Sequence, residues 1–279
     1  MNKTSIEWVI NPDGSRPGWV SNPITGCLGP EGKGPCPYCY ARTLANGRLR
    51  PRYLANTILP CHNEHEHEKH HSDPFFPRWW PGELDKVAAR KKPAGIFLVD
   101  MGDWLGDWIP ILWQKEIIDY IKVCPQHRFY ILTKHPLNLL IFSPWPDNCY
   151  VGTTVDEPER YKESLIGLAG IKAKVKFISF EPLLGRMPMD MAYKFDNKDV
   201  QWVIIGALTG SEAKCMVLQQ TFYPELTLMP WGKKWTLQPK REWVNEIIIA
   251  ALEVGIKIFL KDNLFPLMGE KMLKIREVP

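Results

Sequence analysis

Apolar residues fall along this chain in short, nearly unbroken runs of β-branched and aromatic side chains, each closed by a polar or glycine-rich turn. Runs at Gly95–Val99, Arg128–Leu132, Tyr150–Gly152, Val175–Phe180, Trp202–Ile205 and Ile256–Leu260 predict strands. They do not alternate apolar with polar, which is the pattern of strands buried on both faces of a parallel sheet. Helical periods lie between them. Trp113–Val123 puts Ile117, Ile118 and Ile121 on one face, and Arg241–Val254 spaces Trp243, Ile247, Ala250, Ala251 and Val254 in the same way. Strand alternating with helix every ~20–35 residues predicts repeated βα units, and so an α/β fold, as a parallel barrel or an open sheet.

The residues just past the runs carry the first chemical signal. They read Asp100-Met101-Gly102-Asp103, Thr133-Lys134, Thr153-Thr154, Glu181-Pro182, Gly206-Ala207 and Lys261-Asp262. Polar groups gathered at the carboxyl ends of parallel strands are where (β/α) barrels build active sites and open α/β sheets bind ligands. Two segments break the rhythm. Residues 61–92 read as polar and irregular, with His62, His65, His67, His70 and His71 alternating with acids as in a solvated loop. Residues 207–240 are too long for a simple βα loop. Both are expected as insertions at the mouth of a single domain spanning residues 1–279.

Composition narrows the class. With 35 Lys and Arg against 31 Asp and Glu, the net charge is only +4, and 45% of residues are hydrophobic. These values exclude a disordered, collagen-like or coiled-coil chain. The greasiest stretch, Ile247 to Leu252, runs into Glu253, far short of the ~20 apolar residues of a membrane span. No apolar export segment follows Met1, so a cytoplasmic protein is expected. Seven cysteines without an export signal suit a reducing compartment, where grouped cysteines hold metal more often than they pair.

Three of those cysteines, Cys27, Cys36 and Cys39, crowd into thirteen residues. Cys36-x-x-Cys39 brings two thiolates to one metal centre, and the Gly- and Pro-rich loop after Cys27 brings the third. Ala41-Arg42-Thr43-Leu44-Ala45 reads as the start of a helix. Three ligands leave two readings open. A cubane iron–sulfur cluster held by three cysteines keeps one iron for a small molecule; a zinc site would take its fourth ligand from His62–His71.

At these residues the chain resembles radical S-adenosylmethionine enzymes, whose cluster motif is also Cys-x-aromatic-Cys preceded by a third cysteine. The first gap is eight residues here against the usual three. Further motifs sharpen the likeness: Asn22-Pro23-x-x-Gly26-Cys27, Cys36-Pro37-Tyr38-Cys39-Tyr40-Ala41, Asp100-Met101-Gly102-Asp103, Phe129–Lys134, Gly152–Val155, Ser179–Gly185 and Phe259-Leu260-Lys261. Over about residues 16–265 they resemble a phage-associated radical-SAM-like family of unknown function.

The resemblance implies a partial (β/α) TIM-type barrel of six to seven parallel strands. It also implies a 4Fe–4S cluster on Cys27, Cys36 and Cys39, with S-adenosylmethionine on the fourth iron. One-electron reduction then gives a 5′-deoxyadenosyl radical that abstracts hydrogen from substrate. A one-electron reductant such as a flavodoxin or ferredoxin is the implied partner. Tyr38, Asp100, Gly102, Asp103, Thr153, Thr154 and Glu181 fall where the cofactor would be held, and Lys134 and Lys261 where its carboxylate or an anionic substrate would sit. Cys61 and Cys215, in the inserted segments, are candidate hydrogen-atom donors. Arg42, Arg48, Arg50 and Arg52, with Trp231-Gly232-Lys233-Lys234-Trp235, pair cations with stacking surfaces as nucleic-acid binders do. Three functions stay open: a radical enzyme acting on a nucleotide or nucleic acid (modification or lesion repair), one acting on a peptide or small metabolite, and a non-enzymatic zinc- or cluster-stabilised binding module.

Overall fold

The computed structural model describes residues 1–32, 34–61, 63–189, 195–196, 198–269 and 274–279. The chain divides into two compact units, Met1–Tyr150 with Lys172–Lys174, and Val151–Ile171 with Val175–Pro279. Both are α/β, and the expected parallel strands are present in each.

In the first unit the strands β1 (Asn2–Lys3), β2 (Trp19–Ser21), β3 (Ile24–Thr25), β4 (Arg78–Trp79), β5 (Gly95–Leu98) and β6 (Arg128–Thr133) form two sheets. The larger runs β1-β2-β5-β6. β2 pairs parallel with β5 through Trp19 and Ile96, and β5 parallel with β6 through Gly95 and Arg128. β1 is an antiparallel edge, and β3 pairs antiparallel with β4. Helices α1 (Tyr40–Asn46), α2 (Arg50–Leu54), α3 (Glu64–His71), α4 (Gly82–Ala89) and α5 (Ile111–Val123) complete it. α5 buries Ile117, Ile118 and Ile121, the face its periodicity predicted.

In the second unit β7 (Cys149–Thr154, within this unit from Val151), β8 (Val175–Phe180) and β9 (Trp202–Ile205) are followed by a three-stranded antiparallel sheet. That sheet consists of β10 (Leu208–Gly210), β11 (Thr227–Trp231) and β12 (Lys234–Gln238), ahead of β13 (Lys257–Leu260). The main order is β7-β8-β9-β13, with β8, β9 and β13 parallel. The helices are α6 (Tyr161–Ala169), α7 (Glu212–Thr221), α8 (Arg241–Glu253) and α9 (Phe265–Met268).

Two expectations change. Thr133, Thr153 and Thr154 lie inside strands rather than past them, because a buried β-branched side chain favours the extended backbone as a valine does. Residues 61–92 are not irregular, since they hold α3, β4 and α4. In α3 the Asn63 side chain accepts the Glu66 amide at 2.9 Å, with Glu64 and Glu66 in the first turn and Lys69, His70 and His71 in the last. A cap and charges that complement the helix dipole make a helix without an apolar stripe. α3 itself is solvated, with none of its residues buried, as expected, but helical. Among the described residues, no helix is long and apolar enough to cross a membrane.

Candidate functional site

The first unit brings four segments together around the cysteines. Val99, just past β5, takes φ +67°, a left-handed conformation rare for a β-branched residue. The Asp100–Asp103 turn follows directly. There the Asn22 amide donates to Asp100 Oδ1 at 2.7 Å, while Asn22 Oδ1 accepts the Met101 amide at 3.0 Å. The Tyr40 hydroxyl donates to the Asp100 carbonyl. Gly26 bridges Gly102 in parallel, and its amide donates to the Met101 carbonyl at 2.9 Å. No side chain fits between them: a Cβ on Gly102 would lie 2.5 Å from the Gly26 carbonyl oxygen, and Gly26 itself has φ +87°. This contact sets where Cys27 begins.

Asp103, 8% exposed, ties the turn to the end of β6. Its carboxylate accepts from Thr133 Oγ1 at 2.8 and 3.0 Å, the Lys134 amide at 2.9 Å and the Leu105 amide at 3.2 Å. Lys134 then extends to the second cysteine segment, where its ammonium donates to Cys36 Sγ at 3.4 Å and to the Tyr38 hydroxyl. Cys39 caps α1, its sulfur accepting the Arg42 amide at 3.4 Å, and Cys27 accepts the Gly29 amide at 3.2 Å. Cys27 and Cys39 also pack on an apolar cluster of Ala41, Ala45, Tyr53, Phe75 and Met101.

The electrostatics follow from this burial. It pushes the Cys27 thiol far above its ordinary value, with the Asp103 carboxylate adding to the push and the Gly29 amide opposing it. Cys39 is raised by burial as well, against the Arg42 amide. Each also feels Cys36, so the three thiols are electrostatic neighbours. Burial raises the Asp100 carboxyl, against the Asn22 hydrogen bond.

The cysteines Cys27, Cys36 and Cys39 are free and half-buried. Among the described residues, no three His, Cys, Asp or Glu side chains converge on a point where a single metal ion would sit. Three thiols, two of them accepting N–H···S bonds from Gly29 and Arg42, are donors of the type that iron–sulfur groups use. Of the proposed zinc partners, His62 lies outside the described residues, and among the described residues none of the others joins the three cysteines in a metal-holding group.

The remaining sequence-predicted residues are placed as follows. Cys61 is half-buried, its thiol raised first by burial and then by Glu66. In the second unit Thr153 is fully buried, and its hydroxyl has no hydrogen-bond partner among the described residues. Thr154 is buried. Lys261 donates to Glu181, and nearby Asn263 spans both backbone groups of Ala207 at 3.0 and 2.7 Å. Cys215 is fully buried in α7, its sulfur 3.7 Å from the Trp235 carbonyl. Lys233 and Lys234 are exposed at the turn between β11 and β12, and Trp231 and Trp235 are half-buried. Sequence reasoning assigned no task to Asn22, Tyr40 or Thr133, although all three lie inside the quoted motifs.

Comparison with known proteins bears on the fold. A family model described as a protein of unknown function, DUF5131, matches residues 3–221. No curated protein matches the chain. Among solved structures, a cysteine-to-serine variant of spore photoproduct lyase aligns at TM-score 0.55 and 12% identity, over 94% of this chain and 80% of that one. A double variant with bound AdoMet and dinucleoside spore photoproduct aligns at TM-score 0.52 and 11% identity, over 86% and 75%. A cysteine-to-alanine variant with the same dinucleoside aligns at 0.51 and 12%, over 85% and 75%. At such identity the likeness is one of fold, a partial TIM-type barrel with mainly parallel strands.

Proposed function

The chain belongs to the DUF5131 family, whose function is unknown, and from that premise we propose that it is a radical S-adenosylmethionine enzyme. Cys27, Cys36 and Cys39 would hold a 4Fe–4S cluster, and the substrate is a nucleotide or a nucleic acid, modified or repaired. The observation that carries this reading is the set of three free, half-buried thiols in one loop, with the Lys134 ammonium on Cys36.

When bound, cluster and S-adenosylmethionine supply one-electron cleavage of a sulfonium bond, chemistry that is their own. The residues of this chain bind and orient. Amides of Gly29 and Arg42 hold two sulfurs in place. Lys134 puts positive charge beside the third, where it would offset the negative charge of a reduced group. Asp103 is a positioning residue, because its oxygens are taken up by Thr133, Lys134 and Leu105. Asp100, held by Asn22, is the carboxylate proposed for the cofactor's amino group or ribose.

Two observations support the nucleic-acid substrate. Arg42 within α1, the helix that Cys39 caps, Arg48 just after it, and Arg50 and Arg52 in α2 are all exposed. Two of the structures of similar fold hold a dinucleoside spore photoproduct. Anaerobic incubation of the iron-loaded chain with S-adenosylmethionine and dithionite tests the reaction: 5′-deoxyadenosine forms if the proposal holds, and its absence refutes it. Binding to a single-stranded oligonucleotide tests the substrate. Affinity should fall steeply with salt, since each phosphate contact releases counterions, and indifference to salt would contradict it.

A further inference from the structure

Helix α3 carries histidines that the proposed reaction does not use. His67 and His71 are one turn apart on one face, their ring centroids 5.5 Å apart. With metal–nitrogen bonds of about 2.1 Å and a tetrahedral angle, two rings on one ion have centroids about 5–6 Å apart. The observed separation falls within that range.

The tautomer fits as well. His67 Nε2 lies 2.9 Å from the Thr57 carbonyl oxygen. A carbonyl only accepts, so in the neutral ring Nε2 bears the proton and Nδ1 keeps its lone pair. A ligating histidine commonly donates its second N–H to a carbonyl in this way.

The pair is also held in place from beneath. Arg78, fully buried, donates to the carbonyls of Asn56 at 3.0 Å, Asp73 at 2.7 Å, Phe76 at 2.8 Å and His71 at 2.8 Å. One guanidinium thus fixes the backbone of His71 and the residue next to Thr57. His70 stacks on Phe76 at 4.1 Å and 9°, which sets the rotation of the helix. Glu64, Glu66 and Glu68 supply negative charge along it.

We propose that His67 and His71 bind a divalent transition ion of the imidazole-preferring class, Zn2+, Ni2+ or Cu2+. The bound ion staples the two turns of α3. Among the described residues no third donor converges with the pair, so the site offers two protein ligands and open positions. This proposal is independent of the cysteine chemistry.

The test titrates the full, reduced chain with Ni2+ against a chromophoric chelator, comparing the natural sequence with His65→Gln, His67→Gln and His71→Gln. Any ion taken by the cysteines is common to all four and cancels. The natural chain and His65→Gln should take up one equivalent that the other two variants lose, or bind at least about tenfold more weakly. Equal uptake by all four overturns the proposal. Protection from diethyl pyrocarbonate, read by mass spectrometry on the natural chain, covers the case of a variant that loses its helix. Ni2+ should shield His67 and His71 and leave His65 reactive; no shielding of the pair overturns the site.

Discussion

The ammonium of Lys134 sits 3.4 Å from the sulfur of Cys36, a residue 98 positions earlier in the chain. A fixed positive charge beside a thiolate ligand favours the more negative, reduced state of an iron–sulfur group. Lys134→Met should therefore still take up iron, but with its midpoint potential shifted to more negative values. Lys134→Arg should stay close to the natural protein. Spectroelectrochemical titration of the three proteins measures this, and coincident curves would remove Lys134 from its proposed role.

Asp103 is the joint between two strand ends. Removing its carboxylate leaves the Thr133 hydroxyl and the amides of Leu105 and Lys134 without their acceptor in a buried place. Asp103→Ala should cost about 2–4 kcal/mol of unfolding free energy by urea denaturation. A loss below ~0.5 kcal/mol would mean that the network is not structural.

The Gly26–Gly102 contact tolerates no side chain. Gly102→Ala forces a methyl group into the Gly26 backbone and moves the Cys27 loop away from the end of β5. Iron uptake should drop while far-UV circular dichroism stays near that of the natural protein. Full iron uptake by Gly102→Ala would show that this close approach does not set the cysteine geometry.

His127 gives the fold a dependence on acid. It is 1% exposed, accepts the Ala94 amide on Nδ1 at 3.2 Å, and lies with Nε2 3.2 Å from the Val87 carbonyl. Burial lowers its pKa, against the Val87 hydrogen bond, and a proton on Nδ1 would break the bond to Ala94. The unfolded chain protonates this ring near its ordinary value of about 6.5. The unfolded state then binds more protons, so stability is full above about pH 6.5 and falls as the pH drops below it. This one group contributes at most about 1.4 kcal/mol per pH unit. Urea denaturation between pH 7.5 and 5 should show a shallower acid loss in His127→Ala than in the natural chain; equal slopes would contradict the assignment.

Much of the fold was legible because it rests on local pattern. Continuous apolar runs marked β5, β6, β8, β9 and β13 to within one or two residues, and the isoleucine spacing of α5 marked its buried face. The threonine ends of β6 and β7 were misread because polarity was taken for a turn, whereas buried threonine behaves as a β-branched strand former. Helix α3 was hidden for the opposite reason: it has no apolar stripe, and its signal was a single capping asparagine. The cysteine triplet was visible from spacing. The contacts that place it were not, because Asp103 to Thr133 and Lys134 to Cys36 join positions 30 and 98 residues apart, and no local pattern specifies such pairs.

The most direct measurement is the metal content and spectrum of the chain after anaerobic reconstitution with iron and sulfide. The account predicts about four irons per chain and a brown absorbance near about 400 nm, both lost when Cys27, Cys36 or Cys39 is replaced by alanine. One bound zinc without colour, or iron that stays when Cys36 is removed, would contradict it.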